Sequence, residues 1–223
     1  MFDRRINAVR GDLADIDLVG KMFAPHYAVP IEHMCVVDHA MVYHKPHSEP
    51  ASELLRGERF WLLDVSGGMA WGYCGHDHYV GYIAADALGN ATEPVPIAAT
   101  ADPVTIAEGF LGMPYVWGGR GGAGIDCSGL VQRALAGRGI AAPRDSDMQE
   151  QALGIAILET SPLMRGDLIF LPGHVGIMVD QTNLIHANQF HVKTVIEPLD
   201  IVASRYAEAH DGVGITSRRR IAP

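Results

Sequence analysis

The alternation of apolar and turn-forming residues changes character once along this chain of 223 residues, near residue 89. Before that point, short runs of β-forming residues are separated by proline and glycine turns: Met34–Tyr43, Arg59–Val65, Met69–Tyr73 and Tyr79–Ile83. Short strands at this spacing predict a small antiparallel barrel or sandwich. An acidic stretch at Asp12–Met22 predicts a short helix ahead of them. Residues 1–88 are therefore expected to form an all-β domain with a short N-terminal helical segment.

The remainder of the chain has a different pattern. A polar, proline-containing segment at residues 89–101 is typical of a linker. Asp102 and Pro103 then predict a helix start, because Asp caps a helix N-terminus and proline fits its first position. Further helices are predicted over residues 128–136 and 145–153, and β-forming runs follow from residue 167 to residue 197. Helices followed by strands indicate an α+β domain with an antiparallel sheet over residues 102–223.

Composition limits the classes of function. With 48% apolar and 19% charged residues the chain can bury a core. A formal net charge of -9 argues against a nucleic-acid partner, since phosphate binding needs a basic face. The basic cluster Arg218–Arg220 is too small for one and is expected in a solvated tail or at a strand edge. No apolar segment is long enough to span a membrane, and no secretory signal is visible. If Met1 is the native start, we expect a cytoplasmic protein without a membrane partner.

The three cysteines differ in their surroundings. Cys35 and Cys74 lie in predicted strands and are expected to pack there, since free cysteine usually behaves as a small apolar residue. Cys127 instead follows a glycine-rich loop at the start of a predicted helix. The free N–H groups and the positive dipole end of a helix favour a thiolate, so Cys127 is the candidate nucleophile. The alternative is a glycine loop that caps a helix beside a buried, unreactive cysteine.

A thiol nucleophile needs a base, and the base needs a group that orients its ring. His174 follows a Pro-Gly turn at the start of a predicted strand, and His186 lies in the next strand. A hairpin of these two strands would bring the rings side by side. We therefore expect His174 to accept the proton of Cys127, and His186 to fix the tautomer of His174.

No metal or other cofactor is predicted. The pairs His44 and His47, and His76 and His78, fall in predicted turns without a nearby Cys or Glu at zinc-ligand spacing. The cysteines include no CxxC pair, which argues against a zinc ribbon, and their small, odd number argues against a disulfide framework.

Several short motifs occur in order over roughly residues 100 to 200. They are Tyr115-Val-Trp-Gly-Gly, Asp126-Cys-Ser-Gly-Leu-Val, Arg144-Asp-Ser, Gly166-Asp-Leu-Ile-Phe, His174-Val-Gly-Ile and Ile185-His-Ala. In this combination they resemble the NlpC/P60 family of cell-wall cysteine peptidases. The N-terminal region, with Leu54-Leu-Arg-Gly-Glu and His78-Tyr-Val-Gly-Tyr, is similar to the bacterial SH3 modules that precede this catalytic domain.

The resemblance implies a papain-like catalytic domain behind a small all-β SH3-like barrel, with Cys127 as nucleophile, His174 as base and His186 as the third polar group. It points to endopeptidases that hydrolyse the γ-D-glutamyl-L-diamino acid bond of murein-derived stem peptides with a free N-terminal L-Ala. In that subgroup the Asp and Ser of an Arg-Asp-Ser motif hold the amino end of the peptide. The residues that match its substrate-binding positions are Asp145, Ser146, Asp126, Ser128, Tyr115 and Trp117, with Glu58 and Tyr79 of the SH3 module at the far end of the pocket.

The implied specificity fits elementary chemistry. A free ammonium group needs a carboxylate at hydrogen-bond distance, and Asp145 supplies one in a contact worth roughly 1.5–3 kcal/mol. Such an enzyme would act on released wall fragments, as in peptide recycling. Two alternatives stay open. A related thiol amidase or acyltransferase would share the thioester step, and a non-catalytic protein would only bind wall fragments. The presence of Cys127, His174 and His186 argues against the second alternative, while nothing in the sequence separates the first from a peptidase.

Overall fold

A computed structural model describes residues 2–46, 48–90 and 102–221. The chain divides into two compact units, Met1–Pro96 and Ile97–Pro223. The predicted linker at residues 89–101 lies almost entirely outside the described residues. Its first residue, Gly89, belongs to the last strand of the first unit.

The first unit is built of short strands, as predicted. Its elements are β1 (Leu13–Asp15), a 3-10 turn (Ile16–Leu18), β2 (His26–Ala28), β3 (Ile31–Cys35), β4 (His39–Tyr43), β5 (Pro50–Leu55), β6 (Arg59–Ser66), β7 (Met69–Cys74), β8 (Val80–Ala84), a second 3-10 turn (Ala85–Ala87) and β9 (Leu88–Gly89). Strands β3 to β9 form one antiparallel sheet in the order β5-β4-β8-β7-β6-β3-β9, and β1 pairs in parallel with β2. The all-β prediction for this region is confirmed.

Apolar side chains from alternate strand positions form the core of this sheet. Val42, Leu54, Phe60 and Ile83 are fully buried there, together with Cys35 and Cys74. Neither of these two thiols forms a disulfide. Their predicted role as packing residues is confirmed.

The prediction of a helix over Asp12–Met22 is wrong. The segment contains strand β1 and only a single 3-10 turn, in which the Asp15 side chain accepts the backbone N–H of Asp17. Local side-chain-to-backbone bonds of this kind compete with helix formation. Ala14 and Leu18 gain their burial by packing against Ala24 in a separate small cluster rather than along a helix face.

The second unit contains four helices and a six-stranded sheet among its described residues. The helices are α1 (Pro103–Glu108), α2 (Cys127–Ala136), α3 (Ser146–Ala152) and α4 (Leu199–Ala209); the strands are β10 (Ile155–Ala156), β11 (Leu168–Leu171), β12 (His174–Met178), β13 (Asn183–Asn188), β14 (Lys193–Pro198) and β15 (Ser217–Arg220). The sheet is antiparallel in the order β10-β15-β11-β12-β13-β14. The predicted α+β layout is confirmed.

Helix α2 lies against the centre of this sheet. Its apolar face, Leu130, Val131, Ala134 and Leu135, packs with Phe170, Val175, Ile177 and Ile185 of β11, β12 and β13. Apolar residues at i, i+1, i+4 and i+5 line one side of a helix, which is why this segment is helical and buried. The packing brings the first residue of α2, Cys127, to the start of β12.

Two features at the C-terminal end differ from the sequence analysis. Helix α4 lies beyond the last predicted element. The cluster Arg218–Arg220 is neither a tail nor a sheet edge, because β15 pairs with both β10 and β11. Arg220 donates to Asp167, with 2.7 Å between Nη2 and Oδ2. Among the described residues, no helix has both the length and the apolar character needed to cross a bilayer.

Candidate active site

Cys127 is the first residue of α2, and Asp126 caps this helix. The Asp126 carboxylate accepts the backbone N–H of Gly129 at 2.7 Å and that of Gly118 at 2.9 Å. The glycine-rich loop must fold tightly here, since a Cβ on Gly119 would lie 2.5 Å from the carbonyl oxygen of Gly124. Asp126 therefore ties this loop to the helix that carries the candidate nucleophile.

A buried arginine holds the Asp126 carboxylate in place. Arg144, 1% exposed, donates to both oxygens of Asp126 and, at 2.7 Å, to the hydroxyl oxygen of Ser128. Ser128 in turn donates to Asp126. Buried charges persist in proteins when they are paired and hydrogen-bonded in this way. The side chains of Asp126 and Ser128, predicted to bind substrate, are thus buried and engaged with the scaffold under Cys127. Arg144 opens the Arg144-Asp-Ser motif, but its contact with Asp126 was not predicted from the sequence.

The two predicted histidines meet across the β12–β13 hairpin. His174 Nε2 lies 2.8 Å from His186 Nδ1, and the rings meet edge to face. Both side chains are buried. Tyr206 of α4 stacks on the His174 ring with 5.3 Å between centroids. The side-by-side placement of the rings is confirmed, and Nδ1 is the ring nitrogen of His174 that does not contact His186.

A carboxylate on β14 lies behind the histidine pair. His186 Nε2 is 2.9 Å from Glu197 Oε2, and Arg205 of α4 donates to Glu197 Oε1 at 2.6 Å. His191 Nε2 is also 3.0 Å from Glu197 Oε1. Neither Glu197 nor Arg205 is predicted from the sequence. The sequence signal that could have identified Glu197 is its position at the end of the β-forming run that follows the strand of His186.

Burial decides the charge states of the nucleophile and the base. Loss of solvent, assisted by the nearby Asp126 carboxylate, raises the pKa of the Cys127 thiol to about 12, although the N–H groups of Val175 and Ser128 act in the opposite direction. Burial, with His186 beside it, lowers the pKa of His174 to about 3. These shifts favour a neutral thiol and a neutral imidazole at rest, in contrast to the thiolate expected from the sequence.

The remaining predicted site residues of this unit lie around Cys127 or at the start of α3. Tyr115 is half-buried, and burial followed by the charge of Cys127 raises the pKa of its phenol. Trp117 is 62% exposed on the glycine-rich loop. Asp145 and Ser146 are partly exposed, at the N-cap and first position of α3. Their contacts with substrate stay predictions.

Glu58 and Tyr79 belong to the first unit. Glu58 accepts the backbone N–H of Leu55 at 2.9 Å. Tyr79 is 1% exposed in the core of the β sheet, with its hydroxyl 3.3 Å from His44 Nε2. Their predicted place at the far end of a substrate pocket stays a prediction. Within the described residues, no group of three or more His, Cys, Asp or Glu side chains is arranged to hold a metal ion.

Comparison with protein-family models identifies the second unit. The model of the NlpC/P60 family matches residues 112–210. The chain carries an NlpC/P60 domain. A second model, of the bacterial dipeptidyl-peptidase SH3 domain, matches residues 42–88. Both parts of the resemblance drawn from the motifs are thereby confirmed.

Curated relatives of this NlpC/P60 domain are named as peptidases. The chain is 34% identical over 114 residues to a gamma-D-glutamyl-L-lysine dipeptidyl-peptidase of Bacillus cereus, an alignment covering 48% of this chain and 34% of that protein. It is 38% identical over 85 residues to dipeptidyl-peptidase 6 of Lysinibacillus sphaericus, covering 38% and 31%. The chain thus spans about a third of the length of these relatives. A solved NlpC/P60 family structure from Bacillus cereus is also similar, with 25% identity, a TM-score of 0.49, and coverage of 86% of this chain and 63% of that one.

Proposed function

We propose that the protein is a cysteine endopeptidase that hydrolyses the γ-D-glutamyl-L-diamino acid bond of peptidoglycan stem peptides with a free N-terminal L-Ala. The observation that carries the proposal is the burial of Cys127 at the first turn of α2, where the thiol interacts with the backbone N–H of Val175, the residue after His174 of the His174–His186 pair. The Bacillus cereus relative is named a gamma-D-glutamyl-L-lysine dipeptidyl-peptidase, which supports the same substrate class.

The mechanism follows from the neutral resting pair. Cys127 Sγ attacks the γ-carbonyl carbon of the D-glutamyl residue, and its proton passes to His174 Nδ1. The backbone N–H of Cys127, which has no carbonyl partner in the first turn of α2, can donate to the resulting oxyanion. Collapse of the intermediate breaks the C–N bond, and His174 returns the proton to the leaving amine. Water, deprotonated by the same imidazole, then hydrolyses the thioester.

Recognition of the free amine is assigned to the start of α3. Asp145 would pair with the ammonium group of L-Ala, and Ser146 would accept a hydrogen bond from it. Charge-assisted hydrogen bonds of this kind are stronger than neutral ones. An enzyme that requires them acts on released peptides, which fits a role in recycling within the cytoplasm. Fractionation of cells that express the full-length gene would test that location.

The test is turnover of L-Ala-γ-D-Glu-diaminopimelate followed by product mass. The native protein should release L-Ala-D-Glu, while Cys127→Ala should abolish release and leave the thermal unfolding midpoint near that of the native protein. The N-acetylated peptide should be a poor substrate, because its neutral amide cannot pair with Asp145. Undiminished turnover by Cys127→Ala would overturn the cysteine mechanism. Equal rates for the free and acetylated peptides would overturn the free-amine specificity.

A further inference from the structure

The nitrogen Nε2 of His186 faces two competing groups. Glu197 Oε2 lies 2.9 Å away and can only accept a hydrogen bond when ionised. The amide nitrogen of Asn188 lies 3.0 Å away and can only donate. The orientation of Asn188 is set by its oxygen, which accepts the backbone N–H of His191 at 2.7 Å. One ring nitrogen cannot both donate to Glu197 and accept from Asn188. The stronger of these two hydrogen bonds therefore decides which nitrogen of His186 carries the proton.

The choice propagates along the histidine pair. If His186 donates from Nε2 to Glu197, its Nδ1 carries a lone pair and accepts the Nε2–H of His174 across 2.8 Å. The other nitrogen of His174, Nδ1, then carries a lone pair and can take the Cys127 proton. If His186 instead accepts from Asn188, its Nδ1 is protonated and donates to His174 Nε2. His174 then carries its proton on Nδ1 and cannot act as the base.

Charge favours Glu197. Partial burial alone would raise the pKa of this carboxyl, but hydrogen bonds from Arg205, His191 and His186 outweigh it and lower the pKa to about 2. A hydrogen bond to an ionised acceptor is roughly twice as strong as a neutral one. An unprotonated Nε2 would also place its lone pair against the carboxylate. Arg205, at 2.6 Å from Oε1 and 3.3 Å from Oε2, holds the carboxylate in place.

We propose that Glu197 is a positioning residue that selects, against Asn188, the tautomer of His186 in which His174 can act as a base. The inference deepens the proposed function and rests on it for the direction of the proton transfer. Glu197 contacts neither the thiol nor the substrate in this scheme, and no proton leaves the histidine pair through it.

The decisive variant is Glu197→Gln. Arg205 would hold the glutamine oxygen in the place of Oε1, so that the amide nitrogen replaces Oε2 and faces His186 as a second donor. Both neighbours then favour the unproductive tautomer. We expect kcat to fall by about 100-fold or more, the scale of a lost general base, with little change in KM.

Asn188→Asp supplies a rescue. One aspartate oxygen keeps the bond to the His191 N–H, and the other occupies the place of the amide nitrogen beside His186 Nε2. The double variant Glu197→Gln, Asn188→Asp should therefore recover most of the lost kcat, which a merely structural role for Glu197 would not predict. Glu150→Gln is the matched control, because this carboxylate bonds only the hydroxyls of Thr216 and Ser217 among its described side-chain partners and should leave kcat unchanged.

A second measurement needs no substrate. Nitrogen-15 NMR of labelled histidine, in a Cys127→Ala background, reports which ring nitrogen bears the proton. We expect Nε2–H on His186 with Glu197 present, Nδ1–H in Glu197→Gln, and Nε2–H again in the double variant. An unchanged tautomer in folded Glu197→Gln, or a kcat equal to that of the native protein, would overturn the inference. A protein that shows the reversal but never cleaves the stem peptide would refute the proposed function alone.

Discussion

Asp126 and Glu197 are both carboxylates held by an arginine in the NlpC/P60 domain, but their surroundings differ. The Asp126–Arg144 pair is closed, with side chains 6% and 1% exposed; Asp126 also accepts the backbone N–H groups of Gly118 and Gly129, and Arg144 also donates to Ser128. The Glu197–Arg205 pair is 12% and 24% exposed, and each carboxylate oxygen faces an imidazole, Oε2 that of His186 and Oε1 that of His191. An arginine–carboxylate pair thus holds the backbone around Cys127 at Asp126. In the proposal above, the pair at Glu197 instead fixes which nitrogen of His186 carries the proton.

The largest expected effect concerns the closed pair. Arg144→Leu removes one partner of a buried ion pair and leaves the Asp126 charge under the glycine-rich loop without its counter-charge. We expect the free energy of unfolding to fall by roughly 3–5 kcal/mol. Urea denaturation followed by fluorescence would measure it. A stability equal to that of the native protein would show that Asp126 does not depend on Arg144.

The next difference between the two ion pairs is expected in how activity and stability depend on pH, because, of these two carboxylates, it is Glu197 that contacts a buried imidazole. Burial lowers the pKa of His174 to about 3, and burial also lowers that of His186. Tyr206 stacks on His174, and Glu197, Arg205 and His191 lie around His186. Since the neutral ring is the active base, kcat per folded molecule should hold as the pH falls from 7 through 6.5, where an ordinary histidine would protonate.

Stability, unlike kcat, should change over the same range. Below pH 6.5 the unfolded histidines bind protons that the folded ones do not, so the free energy of unfolding should fall as the pH is lowered. Initial rates and urea denaturation between pH 7 and pH 5 would measure both trends. An acid limb of activity centred at pH 6.5 would contradict the low pKa of His174.

The smallest effect is expected for Arg205→Leu. This pair is partly solvated, so we expect the loss of unfolding free energy to be about 1–2 kcal/mol, smaller than for the closed pair. The same urea series used for Arg144→Leu provides the direct comparison. If Arg205→Leu costs as much stability as Arg144→Leu, the distinction between a closed and an open pair is wrong.

Much of the fold and part of the site could be predicted because their signals are local. Turn residues between short apolar runs predicted the sheet of the first unit, and Asp102 with Pro103 predicted the start of α1, where Asp102 accepts the N–H of Thr105. Cys127 at a helix start and the hairpin of His174 and His186 also follow from neighbouring residues. The helix expected over Asp12–Met22 does not form because the Asp15 side chain accepts the backbone N–H of Asp17 and Ala14 packs in a separate cluster.

The sequence by itself determined the helices-then-strands order of residues 102–197, the place of Cys127 at a helix start and the pairing of the histidines, because propensities, caps and turns act over a few residues. Only the tertiary structure decided that Asp126 and Ser128 belong to a buried support, that Arg144 neutralises it, and that Glu197 lies behind His186. The physical reason is burial. Excluding water raises the cost of every unpaired charge and moves each pKa, and the partner that compensates comes from a distant segment that no local pattern names.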